Sequence, residues 1–567
     1  MKKFLIVCLL ITAGISVQAQ ERFWVFFTDK GAAVESRLES PEAFLSNQAI
    51  SQKSEKGIAI TASDLPVNPA YLEALKARNL DVVGTSRWLN AAIVDAPFAR
   101  REEVETLVFV TGTRKVHTLV SNRSATGPLD FKEWLGRLRT MGDQDKFDYG
   151  ESSLQNTMIN IQALHNKGFS GRGVRVALFD SGFDGVDTVD VFDSLWVQKR
   201  VIAWYDFVDH DTTVFRSDSH GTQVLSTIAA NLPGQMIGTA PHASFILCRT
   251  EDARSETQQE EHNWVAAMEW ADSIGVDVIH SSLGYAEFDD AEESYSYKDM
   301  DGKTAIITRA AALAARKGII VTTSAGNQGT DSWRYITAPC DADSVLCVGA
   351  VTRTGKRSVF SSFGPTSDGR VKPDVVALGS NTTVASPRNY ITSSQGTSFS
   401  GPIIAGLAAC LRQAHPKRSN IDIIQAVRLS ADQYNFPDDE YGYGIPDAGK
   451  ADSLLSKEKD LSSVVIDMTE KPLRGAPRVP KEEKKTVFAS KPRSAVNVSA
   501  NAVTVNTGNA SLNQVEIIYG KQKVTLDPAD LVRTGNQLTI NSRYLIPGEY
   551  YLRIVTSEYE ENVKFSK

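Results

Sequence analysis

The sequence predicts an α/β protein whose central domain is a doubly wound parallel sheet, preceded by a smaller α+β domain and followed by a small β-sandwich. Three observations predict this class. Between residues 151 and 455, short runs rich in valine and isoleucine lack polar alternation, which is typical of strands buried on both faces of a parallel sheet. These runs alternate with helical stretches. Residues 496–567 instead show the apolar and polar alternation of half-buried strands.

The composition is that of an ordinary globular protein. At about 150 residues per domain, 567 residues suggest roughly three to four domains. The 42% hydrophobic and 23% charged residues exclude a mostly disordered chain. The formal net charge is −7, from 61 Lys+Arg against 68 Asp+Glu, whereas nucleic-acid binding needs clustered Lys and Arg. We therefore expect no nucleic-acid partner.

The first residues predict export. Lys2 and Lys3 precede a mostly apolar run over 4–17, and Val17 and Ala19 place small residues at −3 and −1 of a cut after Ala19. This pattern is typical of a secretory signal peptide, here over 1–19, with a buried N-terminal helix as the alternative. No later stretch has the ~18–20 unbroken apolar residues that a membrane span requires. We expect a secreted protein, extracellular or at the cell surface, with the periplasm as an alternative, and no span after signal removal.

Residues 20–120 form the predicted α+β domain. Its extended and helical runs follow the order of a β-α-β-β-α-β (ferredoxin-like) sandwich. They are a strand over 23–28, a helix over 68–79, extended runs over 81–83 and 90–94, a helix over 100–107 and an extended run over 108–110. Residues 121–150 are polar and interrupted by glycines, which predicts an exposed connector.

The central domain is predicted over 151–455. Its strand-like runs lie at 174–179, 244–248, 276–281, 319–324 and 345–351, and helices are predicted over 264–274 and 305–317. Because reactive groups collect at the carboxyl ends of parallel strands, we expect the functional residues there. A solvated linker rich in Lys, Glu, Pro and Ser follows over 456–495, and the β-sandwich over 496–567.

Four cysteines follow the signal, and they allow three complete pairings. Cys340 and Cys347 flank a polar turn, which favours a local bridge between them. Cys248 ends an apolar strand-like run and Cys410 lies in an apolar helix, so we interpret both as buried free thiols.

Three short motifs stand at the ends of predicted strands or the starts of helices. Asp180 ends an apolar strand, His220 opens a helical run, and Ser398 precedes the apolar run 403–411. Each alone is typical of a turn former, a structural histidine or a helix cap. Together they match nucleophilic catalysis, because serine needs a base, and a carboxylate orients the histidine that supplies it. The helix start adds a positive dipole end beside Ser398.

The sequence resembles the subtilase family of serine endopeptidases over most of 151–455. The chain order Asp, His, Ser is that of subtilisins, and Ser398 lacks the G-x-S-x-G context of α/β-hydrolases. The matching motifs are Asp180-Ser181-Gly182, His220-Gly221-Thr222, Ser324-Ala325-Gly326-Asn327 and Gly396-Thr397-Ser398.

The resemblance implies a role for each matched residue. Asp180, His220 and Ser398 would form the catalytic triad, and Asn327 would donate its side-chain amide to the oxyanion beside the Ser398 backbone N–H. The segment Ser282-Leu283-Gly284 would pair with the substrate backbone, and with Ala325 and Gly326 it would line the first specificity pocket. Protein or peptide substrates follow, and no organic cofactor is implied.

The flanking regions carry looser resemblances. Residues 20–120 resemble the inhibitory propeptide of subtilases, which implies an intramolecular inhibitor released by a cut within 115–150. The C-terminal run resembles sorting domains of the bacterial type IX secretion route, with a plain appended β-domain as the alternative. After Gly182 an acidic stretch could gather a structural Ca²⁺ ion, with a solvated loop as the alternative. Its carboxylates are Asp184, Asp187, Asp190 and Asp193.

Two other functions remain open from the sequence. A catalytically silent subtilase fold could act as a surface binding module, and a secreted esterase would share the nucleophile chemistry. Loss of a triad member or of Asn327 would have favoured the binding module, but all four residues are present.

Overall fold

The structure, a computed structural model, describes residues 20–97, 100–116, 146–457 and 461, and eight strands between residues 496 and 566. The predicted signal peptide, most of the connector and most of the linker lie outside the described residues. The chain divides into two compact units, Met1–Met468 and Thr469–Lys567. No helix among the described residues is both long and apolar enough to cross a bilayer.

The N-terminal domain is a four-stranded antiparallel sheet with helices. Its elements are β1 (Gln20–Phe27), α1 (Val34–Leu38), α2 (Asn47–Glu55), α3 (Pro69–Lys76), β2 (Asp81–Ser86), β3 (Ala91–Pro97), α4 (Arg101–Glu105) and β4 (Val110–Val116). The strand order is β2-β3-β1-β4, which agrees with the predicted β-α-β-β-α-β chain order. Helices α1 and α2 were not predicted from the sequence, because α2 buries only Ala49 and Lys53 and so has no apolar stripe.

Alternation along β1 gives this small sheet two different faces. Phe23 and Val25 pack into the domain's own core with Leu75 of α3. Trp24, between them, points to the opposite face and joins the cluster that contains Trp264 of the central domain. The N-terminal domain therefore packs its second face on the larger domain rather than leaving it in water.

The central domain has its helices and strands in alternation. The elements are α5 (Ser153–Met158), α6 (Gln162–His165), β5 (Arg175–Asp180), α7 (Asp193–Val197), β6 (Val201–Asp206), α8 (His220–Ala229), β7 (Asn231–Leu232), β8 (Met236–Ile237), β9 (Ser244–Arg249), α9 (Gln258–Ile274), β10 (Val278–Ser281), α10 (Ile306–Arg316), β11 (Ile320–Ser324), β12 (Leu346–Val351), β13 (Val375–Leu378), β14 (Thr382–Ser386), β15 (Tyr390–Ser394), α11 (Thr397–Ala414), α12 (Asn420–Ser430) and α13 (Ala448–Lys457).

Seven of these strands form one parallel sheet in the order β13-β12-β11-β10-β5-β9-β6. Val176 and Leu178 of β5 face the core that contains α8 and α11. Ala177 and Phe179 face α9 and α10 on the other side. Helices thus cover both faces, and the predicted doubly wound sheet is confirmed.

All five predicted strands are present, within a few residues of their predicted bounds. The two strands at the edges, β6 and β13, were not predicted. β6 is half-exposed and carries mixed residues, and β13 is only four residues long, so neither gives a clear apolar run. Cys340 and Cys347 form the expected local disulfide, and Cys248 and Cys410 are buried free thiols as predicted.

The second unit contains two four-stranded antiparallel sheets. Its strands are β16 (Val496–Val498), β17 (Ala502–Asn506), β18 (Leu512–Tyr519), β19 (Gln522–Thr525), β20 (Leu531–Thr534), β21 (Gln537–Asn541), β22 (Glu549–Thr556) and β23 (Glu560–Ser566). The sheet orders are β16-β17-β21-β20 and β19-β18-β22-β23. The strands agree with the predicted β content, and a sandwich of the two sheets stays a prediction.

Candidate active site

A carboxylate and an imidazole meet at the carboxyl edge of the parallel sheet. Asp180 is the last residue of β5 and is fully buried, and His220 is the first residue of α8. Asp180 Oδ1 lies 2.7 Å from His220 Nδ1 and also accepts the Ser181 N–H at 2.9 Å. A carboxylate there holds the proton on Nδ1 and leaves Nε2 free to accept one.

The start of α8 can approach Asp180 because residue 221 is glycine. A Cβ on Gly221 would lie 2.4 Å from the Gly182 carbonyl oxygen and 2.8 Å from a ring carbon of Phe183. Any side chain would therefore push the helix, and His220 with it, away from the Asp180 strand.

Ser398 lies in the first turn of the 18-residue helix α11 and is 6% exposed. Its Oγ donates to the Ser282 carbonyl oxygen at 3.3 Å. The His220 ring lies close by, with its centroid 5.8 Å from that of Phe399. Within residues 146–457 no hydrogen bond joins His220 Nε2 to Ser398 Oγ, and such contacts commonly tighten only when substrate binds.

Two N–H donors lie at the start of α11, the helix that carries Ser398. Asn327 Oδ1 accepts the Thr397 N–H at 2.9 Å and the Thr397 hydroxyl at 3.0 Å, so the amide nitrogen is turned away from Thr397. The Asn327 side chain is exposed, which leaves its N–H groups to solvent or ligand. The Ser398 backbone N–H belongs to the first turn of a helix, where N–H groups have no intrahelical acceptor.

The segment after β10 is tied to Ser398 from both sides. Ser282 Oγ donates to the Ser398 carbonyl oxygen at 3.0 Å, while the Ser282 carbonyl accepts the Ser398 hydroxyl. Leu283 and Gly284 follow and are half-exposed, so their main chain is accessible to an extended peptide.

The segment after β11 lies on the other side of Ser398. Ala325 is fully buried, and its carbonyl accepts the Thr337 N–H at 3.2 Å. The Gly326 N–H donates to Thr397 Oγ1 at 3.2 Å. The structure thus brings all nine sequence-predicted site residues to one edge of the sheet.

The central domain matches proteins of a known family. Residues 171–444, which include Asp180, His220, Asn327 and Ser398, match the profile of the subtilase family, peptidase S8. Subtilisin of Bacillus pumilus is 30% identical over 279 residues, which cover 48% of this chain and 90% of that protein. Subtilisin DY of Bacillus licheniformis is 30% identical over 292 residues, covering 51% of this chain and 94% of that one.

The chain belongs to the subtilase family.

Three further matches concern the N-terminal domain and other relatives. Residues 22–128 match the peptidase S8 propeptide domain of Bacteroidota. Subtilisin NAT of Bacillus subtilis subsp. natto is 32% identical over 279 residues, and the match spans 65% of its length. The crystal structure of MycP1 without its N-terminal propeptide aligns with a TM-score of 0.42 and 22% identity, over 54% of this chain and 97% of that one.

Sequence reasoning missed a buried histidine close to Ser398. His280 of β10 is fully buried, with Nδ1 2.9 Å from Thr322 Oγ1 and Nε2 2.8 Å from Ser282 Oγ. Burial lowers the pKa of His280 to about 3, so the ring is neutral. His280 therefore connects β11, through Ser282, to the Ser398 carbonyl. A histidine within an otherwise apolar strand was the available signal.

The His220 ring has a perturbed pKa. Burial opposes the charged form, but the Asp180 carboxylate at 2.7 Å, with Asp218 and Glu251 beyond it, outweighs burial and raises the pKa of His220 to about 9. The raised pKa stabilises the protonated ring, the form that His220 adopts when it accepts a proton as a base.

The acidic stretch of this subtilase does not form a compact ligand set in the described residues. Asp187 pairs with Arg216 at 2.8 Å. In the part of the chain that the structure describes, one group of three carboxylates is close enough to share a metal ion. It consists of Glu251, Glu256 and Glu260, which all lie outside the acidic stretch. Calcium binding by Asp184, Asp187, Asp190 and Asp193 stays a prediction.

Proposed function

We propose that this subtilase is a serine endopeptidase that hydrolyses peptide bonds of proteins through an acyl-enzyme intermediate. The observation that carries the proposal is the 2.7 Å contact between Asp180 and His220, at the same sheet edge as Ser398 and Asn327. An oriented imidazole beside a serine at a helix start is the arrangement that nucleophilic acyl transfer needs.

In the acylation step the Ser398 hydroxyl leaves the Ser282 carbonyl and gives its proton to His220 Nε2. Oγ then attacks the scissile carbonyl carbon, whose oxygen takes the negative charge. The Asn327 amide and the Ser398 N–H stabilise that oxyanion. Asp180 stays ionised and stabilises the imidazolium.

The intermediate collapses when His220 returns its proton to the leaving amine, which departs as the new N-terminus of the released peptide. The acyl group remains on Ser398. Water, deprotonated by the same imidazole, attacks this ester, releases the carboxylic acid and restores the serine.

The N-terminal domain is proposed to act as an intramolecular inhibitor of this activity. The propeptide match over 22–128 and the packing of this domain on α9 and α10 support that role. Release would follow a cut within 115–150. We propose that the protein is exported and acts outside the cell or at its surface, with the periplasm as the alternative, and that the C-terminal unit is a sorting domain.

A fluorophosphonate probe, which reacts with activated serines, tests the proposal. We expect the full chain to be labelled and to process its own N-terminal region, and Ser398→Ala to do neither. Ser393→Ala is the matched control, because Ser393 is an exposed serine on the neighbouring strand β15. Equal labelling of all three proteins would remove Ser398 from the mechanism.

The Ser398 to Ser282 hydrogen bond favours one alternative, a catalytically silent subtilase fold that acts as a binding module. In that case neither the full chain nor the control would be labelled. A secreted esterase would be labelled but would release no peptides from casein, whereas the proposed endopeptidase releases them.

A further inference from the structure

Residues 336–340, which we call the supporting segment, connect the segment after β10 to the segment after β11. On one side, the Tyr285 N–H donates to the Ala338 carbonyl oxygen at 2.9 Å, and the Ala338 N–H donates to the Tyr285 carbonyl oxygen at 3.0 Å. On the other side, the Thr337 N–H donates to the Ala325 carbonyl oxygen at 3.2 Å. Two neighbouring residues of the supporting segment therefore bind the main chains of both segments that are expected to hold the substrate.

The side chain of Thr337 lies between the same two segments. A Cβ on Gly284, in the segment after β10, would lie 2.1 Å from Thr337 Oγ1. A Cβ on Gly326, in the segment after β11, would lie 3.1 Å from the same atom. The contact is thus so close that no side chain fits at residue 284 unless Thr337 moves. A shift of the supporting segment would change the distance between the two segments.

A disulfide fixes the end of the supporting segment to the parallel sheet. Cys340 is bonded to Cys347 of β12, and Cys347 is paired in register with Thr323 of β11. Cys340 Sγ also lies 3.4 Å from the carbonyl oxygen of Ser324, the last residue of β11. The covalent link therefore joins the supporting segment to the sheet directly beside the start of the segment after β11.

The disulfide packs against this segment as well. Ala325, Ile336, Cys340 and Cys347 form a small apolar cluster in which every member is fully buried. Because protein interiors are close-packed and yield little to strain, a change at the disulfide is transmitted to Ala325 and to the supporting segment.

We propose that the Cys340–Cys347 disulfide is a positioning element for catalysis. It holds the supporting segment at the place where the two substrate-binding segments are correctly spaced around the substrate residue that carries the scissile carbonyl. The inference rests on the proposed endopeptidase function and adds to it a role for two cysteines that act through the supporting segment. Without the disulfide, the side chain of that substrate residue should contribute less to the rate, because a small displacement of binding groups is costly in catalysis.

Two peptidyl amides test this role, one with the side chain that the wild-type enzyme prefers before the cut and one with glycine there. The concentration of active enzyme cancels in the ratio of their kcat/KM values, so a loss of stability alone leaves the ratio unchanged. In processed Cys340→Ala/Cys347→Ala the ratio should be about tenfold lower than in wild type. The fluorophosphonate probe should still label this variant, since the triad is intact. Cys248→Ala/Cys410→Ala, which loses two buried thiols but no disulfide, is the matched control and should keep the wild-type ratio.

Reduction of the folded enzyme gives the same comparison without refolding. Processed wild-type enzyme is assayed before and after incubation with tris(2-carboxyethyl)phosphine, and its thiols are counted by alkylation after unfolding. Enzyme with the disulfide intact has two free thiols, and reduced enzyme has four. The ratio should fall about tenfold only in the enzyme with four.

An unchanged ratio in either protein without the disulfide would overturn the inference and leave the endopeptidase function intact. An equal fall in Cys248→Ala/Cys410→Ala would trace the effect to lost packing and would overturn it too. If neither route yields labelled enzyme without the disulfide, the disulfide is required for the fold as a whole and the positioning role is refuted. If wild-type enzyme is not labelled and cuts neither amide, the proposed function fails, and this inference fails with it.

Discussion

At the scale of single residues, the hydrogen bonds already present orient the side chains of the proposed active site. Asp180 Oδ1 is shared between His220 and the Ser181 N–H, so the imidazole is oriented before substrate arrives. Asn327 uses its oxygen on Thr397, which orients its amide. Ser398 is the exception, since its hydroxyl donates to Ser282 and must rotate to reach His220.

The pH dependence of the rate should reflect His220. The ring must be neutral to accept the Ser398 proton, and its pKa is raised to about 9, so kcat/KM should rise with pH and have its midpoint above the ordinary histidine value of about 6.5. Asp180→Asn should lower kcat by about 10⁴ and move the midpoint to lower pH. Rate measurements on one amide substrate from pH 5 to 10 check both. An unmoved midpoint in Asp180→Asn would contradict the assignment.

Asn327→Ala should remove one oxyanion donor. We expect kcat to fall by about 10²–10³ with little change in KM, because the charge develops only in the transition state. Steady-state kinetics separate the two constants. The variant should still react with the fluorophosphonate probe, although more slowly, which distinguishes a lost donor from a lost fold.

At the scale of elements, the site depends on how closely α11 approaches β10 and β11. A Cβ on Gly401 would lie 2.6 Å from His280 Cε1 and 2.9 Å from Ser324 Oγ. His280 in turn contacts Ser282, which contacts Ser398 on both of its polar groups. The position of Ser398 is therefore set by the packing of one helix on two strands.

Gly401→Ala tests this packing. Glycine to alanine inside a helix normally stabilises by about 0.5–1 kcal/mol, but here the new methyl group must displace His280 or the helix, and we expect destabilisation of about 1–3 kcal/mol with a lower kcat. Gly112→Ala is the control for thermal unfolding of the unprocessed chain, since a Cβ there has open space. Thermal unfolding measures the change in stability and steady-state kinetics the change in kcat. An unchanged Tm and kcat would show that His280 and the helix shift to accommodate the methyl group without cost.

The sequence predicted the elements that carry strong patterns. The five central strands of the sheet and the residues at their ends were predictable, because buried parallel strands are continuous apolar runs. Edge strand β6 was not, because its residues are half-exposed. The contacts of His280 depend on neighbours distant in the chain, and no local pattern encodes them.

At the scale of the whole first unit, the N-terminal domain and the subtilase domain are joined by buried charge. Lys53 lies 2.8 Å from Asp272, and Arg87 lies 3.0 Å from the same residue. Glu269 accepts the Ser86 hydroxyl and the Arg87 N–H. Removing one member of a buried ion pair lowers stability more than removing one member of a surface pair, because the other charge stays buried without a partner.

His262 makes the docking of the N-terminal domain sensitive to acid. It lies under Trp24, at a ring-centroid distance of 5.3 Å, and burial, with Arg22 and His210 nearby, lowers its pKa to about 3. Once the N-terminal domain leaves, the ring regains an ordinary pKa near 6.5. The released state then binds a proton that the docked state excludes, so docking weakens as pH falls from about 6.5 toward 3.

His262→Gln isolates this contribution. Burial raises the pKa of Glu269, so this residue strengthens docking as the pH falls, opposite to His262. The informative quantity is therefore the difference in pH dependence between the wild-type protein and His262→Gln. We expect processed wild-type protein to lose its N-terminal fragment in size-exclusion chromatography more readily at pH 5 than at pH 7.5, and His262→Gln to show a smaller change. Equal changes in both would exclude His262 as the acid-sensitive group.

The pairing of charges across α9 has a practical consequence for purification. Glu269, Asp272 and Asp277 of the subtilase domain face the cations Lys53, Lys56 and Arg87 of the N-terminal domain. When the N-terminal domain departs, those acidic groups face solvent without their counter-charges. Matured enzyme should therefore bind an anion-exchange resin through a newly bared anionic patch, and elute later than its precursor on a salt gradient.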